Sequence, residues 1–156
     1  MDTFKQFFES SNSWVDDARA EQKVNKYIRD IRTNPGRPLI LSGIKMSKIP
    51  LNIPLTVNGT LWLNNCDLNS LVGCPRQVNG HMTVTKNYLK NFVGAPDVVV
   101  GDFYCFDNPL LESLEGVPRI SGRFICDNFT QQQYTEYVTR RDYKQTAMKD
   151  IDSDIG

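Results

Sequence analysis

The sequence predicts an α+β repeat fold, a short solenoid whose parallel sheet has about four or five short strands and whose ends carry helical caps. Three observations lead there. Gly59, Gly80, Gly101 and Gly122 recur at intervals of 21 residues. Apolar residues keep step with them, at Leu61, Met82, Phe103 and Phe124 two positions on and at Leu63, Val84, Cys105 and Cys126 four positions on. The flanks, residues 1–36 and 130–156, carry helix signals, which leaves residues 37–129 as the solenoid and joins all three parts in one domain.

In the N-terminal cap, Phe4, Phe7 and Phe8 share one face of a short first helix. Ser13 is placed to cap a second helix, with Asp16 and Asp17 near its positive end. Ala20, Val24, Tyr27, Ile28 and Ile31 form its apolar stripe, and Asn34-Pro35-Gly36 stops it.

Residues 38–58 read as a degenerate first repeat, with Ile40, Ile44, Met46 and Ile49 pointing inward and residues 54–58 closing the coil. In the units that follow, Met82-x-Val84 and Phe103-x-Cys105 alternate with the period of a half-buried strand. The Gly-x-Pro of Gly73–Pro75, Gly94–Pro96 and Gly116–Pro118 stops any regular element and turns the chain back. Val78, Val99 and Ile120 then close each unit. The third unit gains a residue between Asn108 and Gly116 and loses one before Gly122, so its strand stays in phase. One such unit cannot bury its own apolar edge. Stacking does it, and each large inward residue then contributes on the order of 2 kcal/mol.

These residues resemble the leucine-rich repeat. Leu61-x-Leu63-x-x-Cys66-x-Leu68, Met82-x-Val84-x-x-Asn87-x-Leu89 and Phe103-x-Cys105-x-x-Asn108-x-Leu110 fit its L-x-L-x-x-N/C-x-L core. An asparagine at that turn satisfies backbone groups of adjoining coils. The fourth unit has Phe129 at the Asn/Cys position, where the array ends. The wording Leu114-Glu115-Gly116-Val117-Pro118 followed by Gly122-x-Phe124-x-Cys126 is similar to small repeat proteins of tailed bacteriophages, over roughly residues 55–130. That resemblance implies a virus-encoded protein acting in the host cytoplasm. It brings no activity with it.

At the C-terminal cap, Thr130 and Gln133 make a capping box, with Phe129 stapling on Tyr134. The helix lays Tyr134, Tyr137 and Val138 on the last coil, and residues 149–154 read as a loose polar tail.

Aligned strands also align what points outward. Thr60, His81, Asp102 and Arg123 form one column, Trp62, Thr83, Tyr104 and Ile125 the next, and Asn64, Thr85, Phe106 and Asp127 the third. A solvated sheet face is mostly polar, and this one is not. Trp62, Tyr104, Phe106 and Ile125, with His81 and Arg123 as polar partners, are therefore the candidate partner-binding residues. Two arrangements stay open at this point: a free face, or aromatics covered by the terminal helices.

The remaining features argue against other classes. Eighteen basic residues balance eighteen acidic ones, so no bulk field draws the chain to nucleic acid or a membrane. The N-terminus lacks a signal-peptide pattern, which predicts a cytoplasmic protein. Cys66, Cys74, Cys105 and Cys126 show no CxxC pairing, and with a single histidine they predict packed thiols and no metal site. Arg140, Arg141 and Lys144 read as a solvated helix face. No nucleotide-binding or protease motif is present, so neither an enzyme nor a cofactor is expected. The expectation is a protein–protein interaction module, phage-encoded and acting on a host protein. A structural or assembly component of a virion, self-associating as a homo-oligomer, is the alternative. Binding of single-stranded nucleic acid through the aromatics comes last.

Overall fold

The computed structural model describes residues 2–46, 48–50 and 53–155, with side chains for residues 18–46, 48–50 and 53–148. In chain order the elements are α1 (Asp2–Thr33), β1 (Leu39–Ile40), β2 (Thr56–Val57), β3 (Leu61–Trp62), β4 (Gln77–Val78), β5 (Met82–Thr83), β6 (Val98–Val99), β7 (Phe103–Tyr104), β8 (Arg119–Ile120), β9 (Phe124–Ile125) and α2 (Gln131–Ile155). Every strand pair is parallel, and the odd-numbered strands form a five-stranded sheet in the order β1-β3-β5-β7-β9. The chain is a β-solenoid of about four turns, with a helix on the N-terminal side and another at the C-terminal end.

The register joins Leu61 to Met82, Met82 to Phe103, and Phe103 to Phe124, so the inward residues form one continuous buried column. Phe103 and Phe124 stack with centroids 6.2 Å apart, and Phe92 meets both rings edge-on. Leu63, Val84 and Cys105 run beside that column, and Leu68, Leu71, Leu89, Leu111 and Leu114 fill the return legs.

The periodic glycines have a packing reason. Gly80, Gly101 and Gly122 each donate the backbone N–H to the carbonyl of the glycine one coil back, at 3.2, 2.9 and 3.1 Å. A Cβ on Gly80 would stand 2.6 Å from the Gly59 carbonyl carbon, inside any tolerable contact.

The return legs hold a feature the sequence did not announce. Thr56–Val57, Gln77–Val78, Val98–Val99 and Arg119–Ile120 pair as a second, four-stranded parallel sheet. Each strand of this sheet is two residues long and sends one side chain, Val57, Val78, Val99 or Ile120, toward the core.

In the first coil the inward residues are Leu39 and Leu41, and Ile40 points out to solvent, the reverse of the expectation for Ile40. The cause is one extra residue: Leu39 pairs with Leu61, a spacing of 22. Ile44, Met46 and Ile49 do point inward. The third unit's extra residue likewise leaves Leu110 exposed and buries Leu111 in its place.

Within both caps the helix runs further than expected. The N-terminal cap is one continuous helix, with no break at Ser13. The side chains of Phe4, Phe7, Phe8, Ser13, Asp16 and Asp17 lie outside the described residues. Ala20, Val24 and Ile28 are buried against the first coil with Ile31 beside them, whereas Tyr27 faces solvent. At the other end residues 149–154 continue α2 as helical backbone instead of forming a loose tail, since no glycine or proline interrupts them. The capping box forms reciprocally. Gln133 N–H donates to Thr130 Oγ1 at 3.1 Å, and Thr130 N–H to Gln133 Oε1 at 2.8 Å.

Tyr134 closes the C-terminal end of the array. Its ring stacks on Phe124 at 5.0 Å, and its hydroxyl donates to the Pro118 carbonyl while accepting the Ile120 N–H. Gln131 Oε1 accepts the Phe124 N–H, so two donors of the final coil are met by side chains of α2. Arg141 is not simply solvated: it donates to the Val117 carbonyl at 2.8 Å and lies over the Tyr137 ring.

Candidate functional site: the strand face

The five-stranded sheet presents its outward side as an open surface. Ile40 is 46% exposed, Trp62 41% and Phe106 37%, with Tyr104 and Ile125 half-buried and His81 and Arg123 exposed. Register places Ile40 beside Trp62, Trp62 beside Thr83, Thr83 beside Tyr104, and Tyr104 beside Ile125. Trp62 and Tyr104 thus stand two strands, about 10 Å, apart across Thr83. Thr83 is the one outward residue of this column that is buried, and its hydroxyl bonds Asn64 Oδ1.

The column next to it is a polar scaffold. Thr60 Oγ1 accepts the His81 N–H at 3.3 Å, His81 Nδ1 accepts the Asp102 N–H at 2.8 Å, and Asp102 Oδ1 accepts the Arg123 N–H at 2.7 Å. At each step a side chain of one coil satisfies the backbone of the next. His81 therefore carries its neutral-ring proton on Nε2, because Nδ1 is an acceptor. The expected neighbours of His81, Thr60 and Asp102, are the residues that bond it.

Asp102 is the hub of this face. Its Oδ2 accepts from the Tyr104 hydroxyl at 3.3 Å and lies 3.5 Å from the Arg123 guanidinium and 3.9 Å from His81 Nδ1. The carboxylate is largely covered, and its pKa is held below the ordinary value, above all by the Arg123 amide, with the Arg123 charge and the Tyr104 hydroxyl adding to it. The ring of His81 meets the edge of Tyr104 at 6.5 Å. One carboxylate thus fixes Tyr104 and Arg123 together, while the Asp102 backbone N–H holds His81.

All six predicted residues lie on this face. Trp62, Tyr104 and Ile125 share the central column, His81 and Arg123 flank them on the polar column, and Phe106 lies just past β7. Sequence reasoning passed over Asp102 and Ile40. The signal for Asp102 was available, since Thr60, His81 and Asp102 each bring a hydrogen-bond acceptor to the same repeat position.

Beyond the strands, the turns are held by an asparagine ladder. Asn87 Oδ1 accepts the N–H groups of Cys66 and Leu68, and its Nδ2 donates to the carbonyls of Leu63, Val84 and Thr85. Asn108 repeats the pattern on Leu89, Val84, Cys105 and Phe106. In the last unit Asn128, one place before Phe129, donates to Asn108 and Leu111. A trough of about 660 Å3 runs along the Gly-x-Pro turns past Cys74, Ala95 and Val117, with Arg76 paired to Asp97 and Arg119 to Asp142 on its sides.

Among the described residues no cluster of three or more metal-ligating side chains occurs, and no helix is long and apolar enough to cross a membrane. Compared with protein-family models, curated proteins and solved structures, the chain matches none.

Proposed function

We propose that the protein is a non-catalytic interaction module that binds another protein through its strand face. The observation that carries this reading is the pairing of exposed aromatics with a fixed polar scaffold: Trp62 and Phe106 stand in solvent beside Tyr104 and Arg123, which Asp102 holds in place. A preformed surface loses little side-chain entropy on binding, and aromatic and arginine anchors dominate interface energetics. Arg123 is already paired with Asp102, which weakens its pull on a phosphate and favours a protein partner over nucleic acid.

We assign the coils to the leucine-rich-repeat class on their L-x-L-x-x-N/C-x-L positions, with a two-residue return strand where many such repeats carry a helix. With the phage-like wording of the repeats, this makes the partner a bacterial host protein and the host cytoplasm its setting.

The test is affinity capture from bacterial lysates with the wild-type chain and with Trp62→Ala and Phe106→Ala as parallel baits. Each substitution is expected to weaken capture of the same partner by about 30-fold or more, roughly 2 kcal/mol per anchor, while Tm stays unchanged. A partner retained equally by both variants, or none recovered from several hosts, refutes the assignment.

A further inference from the structure

Cys105 and Cys126 are neighbours by register. The β7–β9 ladder pairs Phe103 with Phe124 and Tyr104 with Ile125, and the Cys105 N–H continues it by donating to the Ile125 carbonyl at 3.0 Å. One step further sets Cys105 opposite Cys126. Adjacent strands are about 4.8 Å apart, inside the Cα separation of about 4.4–6.8 Å that a disulfide tolerates. The two sulfurs reach across in both directions: Cys126 Sγ lies 3.7 Å from the Cys105 carbonyl, and Cys105 Sγ lies 3.7 Å from that of Ile125.

The two thiols are unlike each other. Cys105 is buried, whereas Cys126 is partly exposed in the last coil. The turn backbone at Asn128 and Phe129, just past Cys126, favours a thiolate there. We propose that this pair is a thiol–disulfide exchange site for small-molecule disulfides of the glutathione class, with Cys126 attacking and Cys105 resolving.

The Cys126 thiolate attacks one sulfur of the small disulfide. The S–S bond breaks, one small thiolate leaves and takes up a proton, and a mixed disulfide remains on Cys126. Cys105 then surrenders its proton, bonds to the Cys126 sulfur and expels the second small thiolate, which that proton neutralises. Two protein thiols are oxidised to one disulfide, and one small disulfide is reduced to two thiols. The acid–base state fits the attacking role of Cys126, and register alone assigns Cys105 as its resolving partner. Its neighbour Cys105, followed by the turn backbone at Asn128 and Phe129, lowers Cys126 to about 7, where an attacking thiol is most effective near neutral pH. Burial pushes Cys105 and Cys74 well up and Cys66 up to about 11. The product would tie β7 to β9 and so fix the strands that carry Tyr104 and Ile125. This inference is independent of what binds the strand face.

The experiment is exposure of the full chain to oxidised glutathione at pH 7, followed by peptide mapping. The expected product is a single Cys105–Cys126 disulfide, with Tm raised. Cys105→Ser should instead stop at a glutathione adduct confined to Cys126. In the folded wild type, iodoacetamide should label Cys126 about ten-fold faster than Cys66 or Cys74, a difference that vanishes on denaturation. That measurement stands even if Cys105→Ser fails to fold. Comparable labelling of Cys66 or Cys74, no reaction at Cys126, or a wild-type adduct that Cys105 never displaces would each overturn the proposal.

Discussion

The side-chain oxygen of Asn87 accepts the backbone N–H of Cys66 at 3.0 Å, so the turn of one coil is completed by a side chain from the next. The same oxygen takes the Leu68 N–H at 3.1 Å, and the amide nitrogen serves three carbonyls. Asn87 is buried, and water cannot stand in for it. The repeat therefore holds together through polar groups as well as through its leucines.

Replacing Asn87 with alanine leaves the amides of Cys66 and Leu68 and the Leu63 carbonyl without their partner. The expected cost is about 2–4 kcal/mol, since each stranded buried group costs about 1–3 kcal/mol and relaxation recovers part of it. Urea unfolding measures it. Asn87→Asp should be nearly as damaging, because a carboxylate accepts but does not donate. An unchanged midpoint in both variants would show that the ladder is dispensable.

Asp102 predicts a pH dependence. Its folded pKa lies below the ordinary 3.8, so the ionised form is the one that the fold stabilises. That contribution is complete above the unfolded pKa and is lost as pH falls through the folded one. Thermal melts between pH 6 and pH 2 should show this contribution steady above about pH 5 and declining below it. Asp102→Asn, which keeps an oxygen for the Arg123 N–H, should flatten part of the decline. Identical pH profiles for the two proteins would place the acid sensitivity elsewhere.

Lys86 offers a stabilising change. Asn65, Lys86 and Asp107 occupy one repeat position, each with φ near +56° (56, 56 and 55°). Asparagine and aspartate tolerate this left-handed conformation through local hydrogen bonding, while lysine meets its steric penalty without that compensation. Lys86→Asn is therefore expected to raise stability by about 0.5–1 kcal/mol, read from the unfolding midpoint. A loss of stability would mean that Lys86 contributes more than its backbone costs.

The main column was legible in the sequence because Leu61, Met82, Phe103 and Phe124 repeat at one spacing and nothing else in the chain competes with it. The second sheet was not. Gln77–Val78 is two residues long, and a period of two cannot be read from a single alternation. Ile40 was misread because Leu39, Ile40 and Leu41 are all apolar, so the pattern allowed either register and the spacing of 22 decided it. Ser13 resembled a cap in a polar stretch, yet the helix runs through it, since a serine inside a helix costs little. The six site residues were legible as a face. Their fixed arrangement was not: spacing could place Asp102 in the acceptor column, but not the reach of its second oxygen to the Tyr104 hydroxyl and the Arg123 guanidinium.

The ladder through Thr60, His81 and Asp102 divides the surface into what can drift and what cannot. Each of those side chains anchors the main chain of the following coil, so an exchange there disturbs its neighbour's footing as well as its own chemistry. Trp62, Phe106 and Ile125 carry no such duty among the described bonds. A library built to redirect the scaffold would randomise these three and restrict the ladder to residues that still offer an acceptor. Recognition could then diversify quickly while the stacking geometry is inherited unchanged.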